Sequence, residues 1–260
     1  MSLSEAAAPL AIAPRPAGRL IAIASGKGGV GKTWFAITLA HVLARNGKRV
    51  LLFDGDLGLA NVDIQLGLAP TRDLSALLTG RASLAETVLR YPAGGFDILP
   101  GCAGSGVLSG LDPALLDPVL ALLRAAPSYR HVLLDLGAGL EAGVRALAAA
   151  ADTLLVLASD EPTSLTDAYA VLKLHQADRP GGDVRIVVNQ APNPAAGQRT
   201  YAALRKAAQA FLGRDPPLAG VIRRDERVRD AIRRQSLLLA RYPNAAAGSD
   251  VERTARALGL

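Results

Sequence analysis

From residue 19 onward the chain alternates short aliphatic runs with longer stretches in which apolar residues recur every three or four positions. The runs occupy residues 20–24, 50–53, 96–99, 132–136, 153–158, 184–188 and 218–222. A run with no polar interruption suits a strand covered on both faces. The pattern therefore predicts an α/β fold: a mostly parallel central sheet with helices on each face. Between the runs, 33–46 places Phe35, Leu39, Val42 and Leu43 on one helical face and stops at Gly47, a C-terminal cap signal. Ser83-Leu84-Ala85-Glu86 is a capping box, and Asp112-Pro113 reads as an N-cap followed by proline at the first helical position. Residues 163–176, 195–212 and 225–235 form or open further helices. Residues 1–18, rich in Ala and Pro, read as a disordered tail ahead of a single domain over 19–260.

The first strand runs directly into Gly26-Lys27-Gly28-Gly29-Val30-Gly31-Lys32-Thr33, which opens a predicted helix. This is G-x-x-x-x-G-K-[ST] in the strand-to-helix context it needs. Small residues such as Gly28, Gly29, Val30 and Gly31 let backbone N–H groups wrap phosphates at a helix N-terminus. Lys32 brings a compact charge to them, and the Thr33 hydroxyl ligates Mg²⁺. Trp34 follows, with its backbone N–H near the α-phosphate and its indole either beside the nucleotide or packed away from it. Gly26, Gly28 and Gly31 also spell G-x-G-x-x-G, with Asp54 at the end of the next strand where a dinucleotide fold keeps a ribose-binding acid. Lys32, Thr33 and a second acid, Asp56, argue for a nucleoside triphosphate instead. So does lysine usage: only five of the 29 basic residues are Lys, yet two stand in this loop. Val132-Leu133-Leu134-Asp135 is an apolar strand ending in an acid suited to hold Mg²⁺ through water, and Gly137-Ala138-Gly139 follows as a switch-like turn.

The loop with lysine directly after its first glycine resembles the deviant Walker A box of the MinD/ParA superfamily. Two further runs, 54–63 (D-G-D-L-G-L-A-N-V-D) and 161–169 (E-P-T-S-L-T-D-A-Y), resemble its flagellar-number regulators of the FlhG (FleN, YlxH) type. The likeness spans 19 to about 242. It implies an ATPase that uses ATP and Mg²⁺ and pairs as a homodimer around ATP. Lys27 then reaches the partner's phosphates, Lys32 serves its own, and Asp56 orients the attacking water. Thr33, Asp54 and Asp135 make the Mg²⁺ shell, and Asn189 reads the adenine edge. The implied function is an ATP-dependent dimerisation switch with slow hydrolysis that sets flagellar number or placement. The alternative is a ParA-like nucleoid-binding ATPase that positions DNA or another cargo, using the arginines at 223, 224, 227, 229, 233 and 234. Three departures stand out. Ile222-Arg223-Arg224-Asp225 replaces I-P-x-D, and residues 1–18 lack the D-Q-A-x-x-L-R element through which FlhG relatives stimulate an FlhF-like GTPase. The last ten residues are too short and weakly amphipathic for a membrane-targeting helix, so stable membrane anchoring is not expected.

The 260 residues are half hydrophobic but only 4% aromatic, so the core must be built from Ala, Leu and Val. A single cysteine, Cys102, allows no internal disulfide. With no signal-like start and no apolar stretch near the ~18 residues of a spanning helix, the sequence reads as cytoplasmic. The net charge of +6 favours acidic partners. His41, His131 and His175 fall on separate elements without metal spacing.

Overall fold

The computed structural model describes residues 18–56, 58–102, 113–126 and 128–260. In chain order these form β1 (Arg19–Ser25), α1 (Lys32–Arg45), β2 (Val50–Gly55), α2 (Val62–Leu66), α3 (Leu74–Leu78), α4 (Leu84–Thr87), β3 (Leu89–Tyr91) and β4 (Phe96–Leu99). A 3₁₀ turn (Pro113–Leu116) then leads into α5 (Asp117–Ala125), β5 (His131–Ala138), α6 (Ala142–Ala150), β6 (Thr153–Ala158), α7 (Pro162–Asp178) and β7 (Asp183–Ala191). The chain ends with α8 (Pro194–Leu212), β8 (Leu218–Arg223), α9 (Glu226–Arg233), α10 (Leu238–Arg241) and α11 (Ala246–Ala257). The expected tail up to residue 17, and the expected cap Asp112, lie outside the described residues.

The sheet has the order β3-β4-β2-β5-β1-β6-β7-β8, parallel except where the edge strand β3 runs against β4. Side chains alternate between two cores, as strand geometry requires. Leu20, Ala22 and Ala24 face one, built with α3 and α5–α8, while Ile21 and Ile23 face the other, built with α1, α2 and α9–α11. Every aliphatic run of the sequence is a strand. Among the elements that the sequence reading did not mark, β3, of three residues, and α2, α3 and α10, of four or five, are too short to display a period, whereas α6 and α11, of nine and twelve, were missed despite their length.

The C-terminal residues, read in the sequence as too short and weakly amphipathic for a membrane-targeting helix, belong largely to α11. Val251, Thr254, Ala255 and Leu258 are buried, and the helix packs on α1 and β8. Its apolar face is thus used inside the domain. No helix among the described residues is long and apolar enough to cross a membrane.

Candidate functional site

β1, β2 and β5 are neighbours in the sheet, and their C-terminal ends bring the motif residues together. The β2–β5 register sets Asp54 directly opposite Asp135. Above them the glycine-rich loop turns into α1. Gly31, at φ +87°, occupies the left-handed region that L side chains avoid, and a Cβ there would come within 2.7 Å of the Asn189 amide nitrogen. Gly26 is pressed on α7, where a Cβ would meet the Asp167 carbonyl oxygen at 2.3 Å.

Lys32 is buried, and its ammonium donates to Ser25 Oγ at 3.0 Å. Burial lowers its pKa, opposed by the charges of Asp135 and Asp56. Asp135 is fully enclosed. Desolvation, then repulsion from Asp54, raises its pKa, while the Thr33 hydroxyl and Lys32 pull it down. Its Oδ1 has no hydrogen-bond partner among the described residues. Asp54 is also buried, and its pKa is pushed up to about 6 by desolvation, although three backbone N–H groups hold it. Its Oδ2 accepts from Asn61 (2.8 Å) and Val62 (2.9 Å), and its Oδ1 from Asp56 (3.3 Å). Asp54 therefore fastens the start of α2 under the site. Asp56 accepts from the N–H of Leu59 at 2.9 Å and of Gly58 at 3.3 Å, and lies against Gly137 of the switch-like turn that closes β5.

These residues suit an anion and a divalent cation bound together. A buried ammonium at a helix N-terminus calls for phosphate, and an orphaned carboxylate oxygen beside a threonine hydroxyl calls for a cation. No group of three or more His, Cys, Asp or Glu able to hold a metal ion occurs among the described residues. Mg²⁺ here would therefore complete its shell from phosphate, Thr33 and water, as that ion commonly does.

The other predicted residues are placed less simply. Lys27 turns away from the phosphate position: its Nζ lies 2.5 Å from Glu161 Oε2 and 3.0 Å from Thr163 Oγ1, at the start of α7. Asn189 is buried and uses its amide to shape the loop, donating to Val30 O at 2.8 Å and accepting from Gln190 N at 2.9 Å. One Nδ2 hydrogen is left for a ligand. Gln190, which no sequence signal marked, adopts φ 58° and donates to Gly29 O at 3.1 Å. Ser25, also unforeseen, joins both lysines by donating to the Lys27 carbonyl at 2.6 Å.

Beside the loop opens a cavity of about 270 Å³, lined by Gly29, Trp34, Asn189, Gln190, Arg224 and Arg229 among others. Trp34 is 6% exposed, packed in the α1 core, and it also walls this cavity. Its indole N–H has no partner among the described residues. Where the proline of I-P-x-D is missing, Arg223 clamps the turn instead. Its backbone N–H and Nε both reach Asp250 Oδ2 at 2.9 Å, and its Nη2 reaches Oδ1 at 3.0 Å. Arg234 pairs with Asp230, and Arg227 donates to Asn244 O over the Tyr242 ring. Half of the predicted arginine cluster is thus engaged within the chain.

His41 and His131 are buried on α1 and β5, with pKa values lowered to about 4 chiefly by desolvation. His175 shifts the same way on α7. Cys102 is buried, and desolvation raises its thiol to about 11.

The family model of the CobQ/CobB/MinD/ParA nucleotide binding domain matches residues 21–238. The antiactivator FleN of Pseudomonas aeruginosa is 38% identical over 230 residues, 88% of this chain and 82% of FleN. The flagellum site-determining protein YlxH of Helicobacter pylori is 32% identical over 74% of this chain and 64% of its own length. Among solved structures, the cell division ATPase MinD of Pyrococcus furiosus superposes with a TM-score of 0.78 at 25% identity, covering 93% of this chain and 98% of that one. MinD of Pyrococcus horikoshii, complexed with Mg-ADP, gives 0.77 at 26% identity, covering 93% and 96%. Sheet order, glycine-rich loop and paired strand-end acids agree with these matches, and the chain belongs to the MinD/ParA nucleotide-binding family, on its FleN-like, FlhG-type branch.

Proposed function

We propose that the protein is an ATP-dependent dimerisation switch with slow ATP hydrolysis that regulates flagellar number or placement. The observation that carries the reading is the buried cluster of Lys32, at the start of α1, with Asp54 and Asp135, at the ends of β2 and β5, beneath a loop whose other lysine, Lys27, is held outside the cluster by Glu161. Phosphoryl transfer asks for positioning and charge neutralisation rather than a strong base. Lys32 and the loop N–H groups take the phosphates. Asp56, tethered through Leu59 N–H, orients the attacking water, and its contact with Gly137 ties the segment after β2 to the switch-like turn at the end of β5. Thr33 would hold Mg²⁺ directly, with Asp135 and Asp54 reaching it through water; the ion, when bound, neutralises charge developing between the β- and γ-phosphates. Lys27, released from Glu161, serves the phosphates of a second subunit.

Three variants test this. Lys32→Ala should lose nucleotide binding, Asp56→Ala should keep ATP and accumulate as dimer, and Lys27→Ala should bind ATP but neither pair nor hydrolyse it. Size-exclusion chromatography with Mg-ATP and phosphate-release assays read these outcomes. An Asp56→Ala protein that is monomeric with ATP bound would overturn the role of Asp56, and a Lys27→Ala protein with parental turnover would overturn the trans role of Lys27. The flagellar assignment is tested by deleting the gene in its own host and counting flagella by electron microscopy; an unchanged number and position refutes it.

A further inference from the structure

The chain has four phenylalanines. Phe35, Phe53 and Phe96 are 3% exposed or less, whereas Phe211, in the last turn of α8, is 77% exposed. Its ring stands edge-on to Tyr169 of α7, centroids 6.5 Å apart and planes at 85°. Gln176 donates to Leu212 O at 3.3 Å and holds the two helices together beside the pair. An aromatic platform left in water on a rigid two-helix support is the form of an interface anchor.

The unpaired charges on these two helices are mostly positive. Lys173 lies four residues beyond Tyr169, on the same face of α7, exposed and without an ion-pair or hydrogen-bond partner among the described residues. α8 carries Arg199, Arg205 and Lys206 and no acid. Arg205 is neutralised by Asp215 and Asp178 by Arg145. Lys173, Arg199 and Lys206 then outnumber Asp167, half-buried where α7 backs the glycine-rich loop, and the balance is positive. Ala202, Ala203 and Ala210 are exposed on α8, a smooth surface that lets another backbone approach closely.

We propose that the α7/α8 face docks an acidic segment of another protein, whose apolar side chain packs on Phe211 and Tyr169 while a carboxylate meets Lys173. The positive face disfavours a second copy of this chain, itself at +6. The alanine-rich surface offers no row of cations for a nucleic-acid backbone to follow. This inference stands apart from the ATPase reading, since it requires neither hydrolysis nor pairing.

The test is selection of a phage-displayed library of random 16-residue peptides on the full-length protein, followed by fluorescence anisotropy with the enriched peptides. Enriched peptides should be acidic with an aliphatic or aromatic anchor. Phe211→Ala should weaken them at least about tenfold, as for an interface anchor. Lys173→Glu should weaken them too, and exchanging one peptide Glu for Lys should recover that loss. Because Phe211 is exposed, its variant keeps the parental circular dichroism and melting temperature, so weakened binding is not unfolding. Enrichment of neutral or basic peptides, no enrichment at all, or binding indifferent to both variants would overturn the proposal. So would a labelled oligothymidine that binds the parent and is lost in Phe211→Ala, since the face would then be a base-stacking surface.

Discussion

Asp54 is 1% exposed, and desolvation pushes its pKa from 3.8 up to about 6. A carboxyl with a higher pKa folded than unfolded binds its proton more tightly in the native state. Its contribution to stability is whole below about 3.8 and is lost as the pH rises through about 6. The full loss is about 3 kcal/mol, of which about 2 kcal/mol falls between roughly pH 4.5 and 7.5. Asp54→Asn removes this dependence at modest structural cost. An amide oxygen can still accept from Asn61 and Val62, and only the longer 3.3 Å bond from Asp56 is lost, worth about 1 kcal/mol. The apo variant should therefore match the parent near pH 4.5 and exceed it by about 2 kcal/mol near pH 7.5. Relief of the repulsion on Asp135 acts in the same sense. Guanidinium unfolding of both proteins, without nucleotide or Mg²⁺ at constant ionic strength, measures the gap at each pH. A gap that does not change with pH, or a parent that gains on the variant as pH rises, would refute the burial of charge at Asp54.

Trp34, the only tryptophan, walls the nucleotide-side cavity, so saturating Mg-ATP or Mg-ADP should change its emission intensity or maximum; an unchanged spectrum at saturation would mean that it only packs. Gly31→Ala forces an L residue to φ +87° against the Asn189 amide, costing about 2–3 kcal/mol from the left-handed backbone and a weakened Asn189–Val30 bond. Calorimetry should show a fall of roughly 4–12 °C in melting temperature, together with lost nucleotide affinity, and an unshifted Tm would show that the loop relaxes freely.

The strands were legible because a parallel sheet buried on both faces leaves uninterrupted aliphatic runs, and the phosphate loop because its spacing is set by the ligand rather than by the rest of the fold. Asp54 and Asp135 could be picked out one at a time as strand-end acids, but only the β2–β5 register makes them a pair. What stayed hidden depends on contacts far apart in the chain. Glu161 opens the FlhG-like run 161–169, yet nothing local says that it holds Lys27, 134 positions away. The Arg223–Asp250 clamp reads in sequence as one more arginine in a basic cluster. Gln190 needs a positive φ that no neighbouring glycine advertises, and β3 exists only because β4 offers it an edge.

The contact of Lys27 with Glu161 and Thr163 joins the phosphate loop to the first turn of α7. One ammonium cannot neutralise two distant anions. If a second subunit's phosphate claims it, α7 loses its tie to the loop, and Glu161 keeps Arg224 as its remaining cationic neighbour. Assembly would then be felt along α7 as far as Tyr169 and Lys173, although neither touches nucleotide. Thermodynamic linkage makes the traffic two-way: a ligand that favours the tied form of α7 must raise the ATP concentration at which pairs form, and one that favours the untied form must lower it. A single lysine could thus let cargo and nucleotide sense each other across a helix.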